Sequence, residues 1–178
     1  FTEEEWIGIY QDQKDYAVCF GVEPEIWQKA EDNQYVPETS LTETEIRMPG
    51  GHLTISQLIA LLNTIPMEIT FVDVDNINRF FNEGPKDFKR PGMAIDREVF
   101  SCHPPKIEAT VRRIIGEFRV GALDEVPIWM DKNGKCMLVR YMAVRDKEGK
   151  YLGTLELVQD MGFAKEHFQP EKRQEEIW

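Results

Sequence analysis

The sequence lacks two features that would point to a membrane or a nucleic acid. It contains no run of about 18 consecutive apolar residues, the length that marks a membrane-spanning helix. It also has few basic side chains, with 21 Lys and Arg against 32 Asp and Glu and a net charge of −11. Proteins that bind nucleic acid neutralise its phosphates with clustered Lys and Arg. We therefore expect no membrane and no nucleic acid among the partners.

Cysteine is also scarce. Cys19, Cys102 and Cys136 are odd in number, widely spaced and without a CxxC motif. This pattern excludes a zinc ribbon and argues against a disulfide framework. A reducing environment such as the cytoplasm fits the three free thiols.

The acidic charge is concentrated at one end of the chain. Residues 1–50 hold 12 acids and 3 bases, whereas residues 51–178 hold 20 acids and 18 bases. The change in charge, together with Gly50-Gly51, predicts a boundary there. We expect an acidic helical extension or connector over 1–50, a folded domain over 51–162 and a charged tail over 163–178.

Two helices are predicted inside the folded domain. Thr54, with Gln57 three residues later, forms a capping-box pattern at the start of an apolar helix that Pro66 ends. A second helix is predicted over 104–120, because its apolar residues form a single stripe. They are Ile107, Val111, Ile114, Ile115 and Phe118. Outside the domain, residues 3–18 also favour a helix, with acids in the first turn.

β-Branched and aromatic segments predict five strands, over 69–74, 77–82, 125–131, 136–145 and 151–160. Asn133-Gly134, between the third and fourth, is the strongest hairpin signal in the chain. We therefore expect the α+β class: a five-stranded antiparallel sheet with helices packed on one face, plus the N-terminal helical extension.

Several segments resemble the PAS domain family of sensory modules. "ITFVDVDNINRFFN" resembles the first PAS hairpin, "YMAVRDKEGKYLGTLELVQDM" the last two strands, and "AIDREVFSCHPPKIEATVRRIIGEFRVG" the run into the long helix. The resemblance covers about residues 53–161. More narrowly, "LLNTIPMEITFVDVDNINRFF" followed by "CHPPK" resembles the C-terminal PAS domain of bacterial proteins that carry a hemerythrin-like domain upstream.

The resemblance implies a PAS-like domain that acts as a sensory or ligand-binding module of a larger cytoplasmic signalling or redox-linked protein. Its ligand would lie between the sheet and helix 104–120. The chain would form a homodimer and would not be an enzyme. The alternative is a protein-interaction or dimerisation module with a filled core and no ligand.

Two positions depart from the family pattern. Asp96-Arg97 stands where PAS domains usually carry Gly-Arg, and Asp160-Met161-Gly162 stands where they usually end Asp-Ile-Thr. The second change removes the Thr that commonly ties the last strand to an output helix, which bears on how the domain is coupled to an effector.

His103 and Cys102, in "SCHPPK", are the first candidate site residues. His103 precedes Pro104, which favours extended geometry, so its ring could cap the start of the helix near the backbone of residues 105–106. In the resemblance, a His in this region could instead bind haem as an axial ligand, or contact another small molecule. Cys102 could be a redox-sensitive thiol near a positive helix end, whereas a nucleophile–base pair with its neighbour is disfavoured.

Trp129 and Tyr141 are the other tentative ligand-binding residues. Both lie on predicted strands of the PAS-like sheet, where aromatic side chains can line a cavity or simply pack in the core. The sequence identifies no cofactor; haem remains one candidate.

Overall fold

The computed structural model describes residues 43–84, 86–88, 94–103 and 105–168. The predicted helix over 3–18 and most of the predicted acidic extension lie outside these residues. Within the described ranges, no helix is long and apolar enough to span a membrane.

Seven strands, three α-helices and one 3₁₀ helix make up the described part of the chain. In order they are β1 (Glu45–Met48), β2 (Gly51–Thr54), α1 (Ile55–Thr64), β3 (Glu68–Asp73), β4 (Asn78–Phe81), the 3₁₀ helix (Val99–Cys102), α2 (Pro105–Arg119), β5 (Glu125–Lys132), β6 (Lys135–Arg145), β7 (Tyr151–Asp160) and α3 (Gly162–His167).

The last five strands form one antiparallel sheet in the order β4-β3-β7-β6-β5. This confirms the predicted fold class and, within one or two residues, all five predicted strands. The last strand in the chain, β7, lies in the centre between β3 and β6. Side chains on β7 therefore have neighbours on both sides.

The turn between β5 and β6 has the predicted form. Asn133 and Gly134 both have positive φ, 54° and 78°, which a two-residue hairpin turn matching the twist of its strands requires. The Gly134 amide also donates to Asp131 Oδ1 at 3.1 Å. The turn fixes the register in which Met130 lies opposite Met137.

Helix α2 packs across one face of the sheet, which we call the inner face. Its apolar stripe joins strand residues in one buried cluster, and Phe118 is 0% exposed. The helix ends where predicted: Gly121 has φ +76°, and its amide donates to the carbonyl oxygen of Phe118 at 3.2 Å.

The N-terminal part of the described chain differs from the prediction. The first predicted strand begins at residue 69, but β1 and β2 precede it and pair across Pro49-Gly50 as a hairpin. The Thr54 capping box at the start of α1 is present as predicted, with both reciprocal hydrogen bonds. The domain limits at 50/51 and 162/163 remain predictions, although the first falls inside this hairpin and α3 begins at the second.

Candidate functional site

His103 ends the 3₁₀ helix that leads into α2. Its backbone is extended, with φ −119° and ψ 138°, and its half-buried ring places Nδ1 2.8 Å from the carbonyl oxygen of Val99. A carbonyl oxygen only accepts, so Nδ1 carries the hydrogen and donates it. In the neutral ring, the lone pair then lies on Nε2.

Nδ1 of His103 does not act as the predicted helix cap. A cap requires a ring nitrogen that accepts from a backbone N–H, and Pro105 has no N–H to donate, whereas Nδ1 itself donates to the carbonyl oxygen of Val99, four residues earlier. The ring therefore ties the end of the 3₁₀ helix to its own beginning. Cys102 is the last residue of that 3₁₀ helix, directly before His103.

Tyr141 lies on β6 with its side chain on the inner face. It is 7% exposed and belongs to the same buried cluster as Val99 and Phe100, which carry the carbonyl oxygens that anchor His103. Its hydroxyl donates to Glu156 Oε1, 3.1 Å away on the neighbouring strand β7. The structure therefore brings Tyr141 and the His103 segment to one core.

Trp129 lies on the opposite face of the sheet. Its neighbour Met130 is buried against the core, whereas Trp129 itself is 56% exposed, as the two-residue alternation of a strand requires. A position on this outer face does not fit a pocket between the sheet and α2. Among the predicted residues, Trp129 is therefore separated from Tyr141 and His103.

The polar residues of the inner face were not predicted from the sequence. Thr70, Glu156 and Tyr141 lie opposite one another across β3, β7 and β6, and all three are buried. A second polar pair lies on β7, where the hydroxyl oxygens of Tyr151 and Thr154 are 2.7 Å apart and hydrogen-bonded. The available signal was the register: once Tyr141 is placed inward, its partner Glu156 must point inward as well.

A second buried carboxylate, Glu68, lies at the start of β3 on the same face. Its Oε1 accepts from the amides of Asp87 and Phe88, at 2.5 and 3.2 Å. Phe88 is itself fully buried in the core. Glu68 therefore fixes the short segment 86–88 against the sheet.

The polar residues named above do not form a metal site. Within the described ranges, no group of three or more His, Cys, Asp or Glu side chains is placed to hold a metal ion. The inner face instead offers hydroxyl groups and carboxylates, the side chains that orient a small polar molecule by hydrogen bonding.

A PAS domain model matches residues 58–162, more than half of the chain. The chain belongs to the PAS domain family. The match includes α1 from its fourth residue, the whole five-stranded sheet and α2, and it ends at the first residue of α3.

Among solved structures, a C-terminal domain from Streptococcus mutans is 37% identical. The match covers 70% of this chain and 98% of that domain, with a TM-score of 0.67. A PAS domain from Colwellia psychrerythraea is 15% identical over 60% of this chain and 95% of that chain, with a TM-score of 0.45.

A sensory box sensor histidine kinase from Vibrio cholerae is 13% identical over 58% of this PAS protein and 87% of that chain, with a TM-score of 0.41. The Colwellia and Vibrio likenesses are too distant to support an argument about function. No curated protein matches the chain.

Proposed function

We propose that this PAS domain is the sensory, ligand-binding module of a larger cytoplasmic signalling or redox-linked protein. Its ligand is a small molecule held between the inner face of the sheet and α2. The resemblance of "LLNTIPMEITFVDVDNINRFF" and "CHPPK" supports a protein with a hemerythrin-like domain upstream. The domain acts by binding rather than by catalysis.

One observation carries this proposal: a buried tyrosine–glutamate pair faces α2 from the middle of the sheet. Tyr141 donates to Glu156, and both are at least nine-tenths buried. Burying a carboxylate is costly unless hydrogen bonds compensate, and an apolar residue would fill a purely structural core more cheaply. A few convergent polar groups among apolar side chains are typical of a small-molecule site.

The test is to release and identify what the purified protein carries. Mass spectrometry of the denatured protein should detect a small molecule at a stoichiometric level. Tyr141→Phe and Glu156→Gln should each reduce its retention, because each weakens the polar pair. Glu125→Gln is the matched control, since Glu125 is an exposed carboxylate on the edge strand β5.

A filled core is the alternative outcome. If the parent protein is colourless and releases no small molecule, the domain is an interaction or dimerisation module, and the ligand proposal is wrong. Equal retention by Glu156→Gln and the parent protein would contradict the role given to the buried pair.

The geometry of His103 favours haem as one candidate ligand. Because Nδ1 donates to the Val99 carbonyl, Nε2 carries the lone pair, which is the form in which histidine binds iron. The buried carboxylates Glu68 and Glu156 fit less well, since they would repel the haem propionates. A bound haem would supply an iron atom able to take up a gas or change oxidation state.

Haemin titration followed by visible absorbance tests the haem candidate. His103→Asn should abolish the Soret shift while the thermal midpoint changes little. His52→Asn is the control, because His52 lies exposed in the β1–β2 hairpin. An identical titration curve for His103→Asn, or no binding by the parent protein, would eliminate haem.

The same proposal includes a homodimer. Helix α1 has no buried residue although half of its ten residues are large and aliphatic. PAS domains commonly pair through the helices that flank the sheet, so α1 and residues 3–18 are the proposed contact region.

A further inference from the structure

Lys135, the first residue of β6, lies between two carboxylates from distant parts of the chain. Its Nζ is 2.6 Å from Asp87 Oδ1 and 3.8 Å from Asp160 Oδ2. Asp87 precedes β6 by 48 residues, and Asp160 is the last residue of β7. We call these three residues the Lys135 clamp.

The Asp87 side of the clamp is anchored in the interior. The amide of Asp87 donates to Glu68 Oε1, and the next residue, Phe88, donates to the same oxygen and is fully buried. Glu68 lies on the inner face, where its neighbour along that face is Thr70. A change at the inner face that displaces Glu68 therefore also displaces Asp87.

The Asp160 side of the clamp defines the start of α3. Asp160 Oδ1 accepts from the amide of Gly162, the first residue of that helix, at 2.8 Å. The intervening Met161 amide donates to the carbonyl of Cys136, next to Lys135, at 2.7 Å. The position and helicity of α3 thus depend on Asp160, the carboxylate that Lys135 contacts.

We infer that the Lys135 clamp couples the inner face of the sheet to α3, through the segment 86–88. This inference rests on the proposed sensory function, for which it names the output route. A ligand that moves Glu68 shifts Asp87, and this changes the distances from Lys135 Nζ to Asp87 and to Asp160. The hydrogen bond from the Gly162 amide, at the start of α3, to Asp160 is then strengthened or weakened.

The exposure of the clamp suits a reversible connection. Lys135 is about half exposed, so its ion pairs are weak and are screened by salt. The hydrogen bond that Lys135 donates to Asp87, with further attraction from Asp160 and Glu68, raises the pKa of Lys135 above its usual value, so the lysine stays charged at neutral pH.

Nuclear magnetic resonance on the whole chain tests this coupling without a ligand. The ¹³Cα secondary shifts of residues 162–167 report how much of α3 is helical. In Lys135→Met they should fall by about half, since a short exposed helix is only marginally stable. Lys150→Met is the matched control, because Lys150 lies exposed in the turn before β7, and the shifts should stay at the parent values.

To separate coupling from a local effect of Lys135 on α3, the perturbation must be made at the inner face. Glu68→Gln should lower the α3 shifts in the parent background and change nothing further in Lys135→Met. Asp87→Asn should act in the same way, and it is available if Glu68→Gln does not fold. High salt should reproduce the effect of Lys135→Met.

Two results would overturn the inference: unchanged α3 shifts in Lys135→Met, or an equal effect of Asp87→Asn with and without Lys135. Either result would leave the ligand proposal standing, because the released small molecule is measured separately. Conversely, a protein without a ligand could still show the coupling.

Discussion

Among individual residues, Gly153 lies where the chain has no room for a side chain. It is on the central strand β7, opposite Asp73 on one side and Val144 on the other. A Cβ built there would overlap the carbonyl oxygen of Val72 and lie 2.8 Å from the ring of Phe71. A backbone oxygen in the middle of a sheet cannot move aside without breaking strand pairing.

We therefore predict that Gly153→Ala lowers the free energy of unfolding by about 2–3 kcal/mol. Gly116→Ala is the matched control: it lies within α2, nothing is within 4 Å of its added Cβ, and no positive φ is required. There the substitution should stabilise by about 0.5–1 kcal/mol, because alanine favours the helix. Urea unfolding measures both, and a loss of stability in Gly116→Ala or none in Gly153→Ala would contradict the packing described.

Asp73, at the end of β3, should make the stability of the fold depend on pH. Burial alone would raise its pKa, but hydrogen bonds from the Ile77 amide, Arg79 and the Asp75 amide outweigh it, so its pKa is lowered. A carboxyl group with a lowered folded-state pKa stabilises the fold above its ordinary unfolded pKa. That contribution is lost as the pH falls through the folded-state value.

Asp73→Asn should therefore be less stable than the parent protein at pH 7, and the difference should shrink as the pH falls below about 4. Thermal midpoints measured from pH 7 to pH 3 give the comparison. Asp75→Asn serves as a control, since Asp75 contributes only its backbone amide to the turn. A difference for Asp73→Asn that stays constant with pH would rule out the ionised carboxylate as its source.

The residues of the candidate site were only partly predictable from the sequence. Tyr141 was identified, but its partner Glu156 was not, because "LELV" on β7 invites the interpretation that Leu155 and Leu157 face the core. The register shows the reverse: Glu156 lies between Thr70 and Tyr141 on the inner face. Apolar residues occur on both faces of this sheet, so alternation alone cannot say which face α2 covers.

At the scale of elements, short sequence patterns correctly predicted the features that hydrogen bonds between nearby residues determine. The Thr54 capping box and the Asn133-Gly134 turn each depend on residues within four positions, and both were found as predicted. The β1–β2 hairpin was missed, because Pro49-Gly50 marks a turn whether or not the flanking segments pair. The contact of His103 Nδ1 was not predicted either, since the Val99 carbonyl that it meets belongs to a 3₁₀ helix that was not predicted from the sequence.

The docking of α2 on the sheet gives a prediction at this scale. Phe118 is 0% exposed and lies in the main core cluster. Phe118→Ala should therefore cost about 3–5 kcal/mol of stability, from lost burial and the cavity left behind. Phe163→Ala, on the exposed side of α3, should change stability by less than about 0.5 kcal/mol. Chemical unfolding of the two variants decides whether α2 is part of the cooperative core; similar midpoints would show that it is not.

For the whole molecule, the order of strands and helices was the most predictable property. The predicted domain has five strands joined by strong turn signals, with one long amphipathic helix between the second and third. Few α+β arrangements other than an antiparallel sheet with this helix across one face fit that order. Assembly is harder to predict, since it depends on surfaces that only the folded domain defines. The aliphatic residues of α1 are a case in point: their helical period was evident in the sequence, but their exposure was not.

That exposure leads to the last prediction, on assembly. Ile59 and Leu61 are 45% and 49% exposed on α1 and lie two positions apart, so α1 presents an exposed apolar side chain on each of two faces. We expect the protein to form a homodimer through α1, so light scattering at micromolar concentration should give a mass near twice the 20.8 kDa of one chain. Ile59→Glu or Leu61→Glu should shift the mass towards one chain, because dimerisation would then bury an unpaired charge. Val120→Glu is the control, as Val120 is exposed just beyond α2, and its mass should match the parent's. A single-chain mass for the parent protein would disprove the dimer. A dimer that neither α1 substitution affects would show that the interface does not include α1.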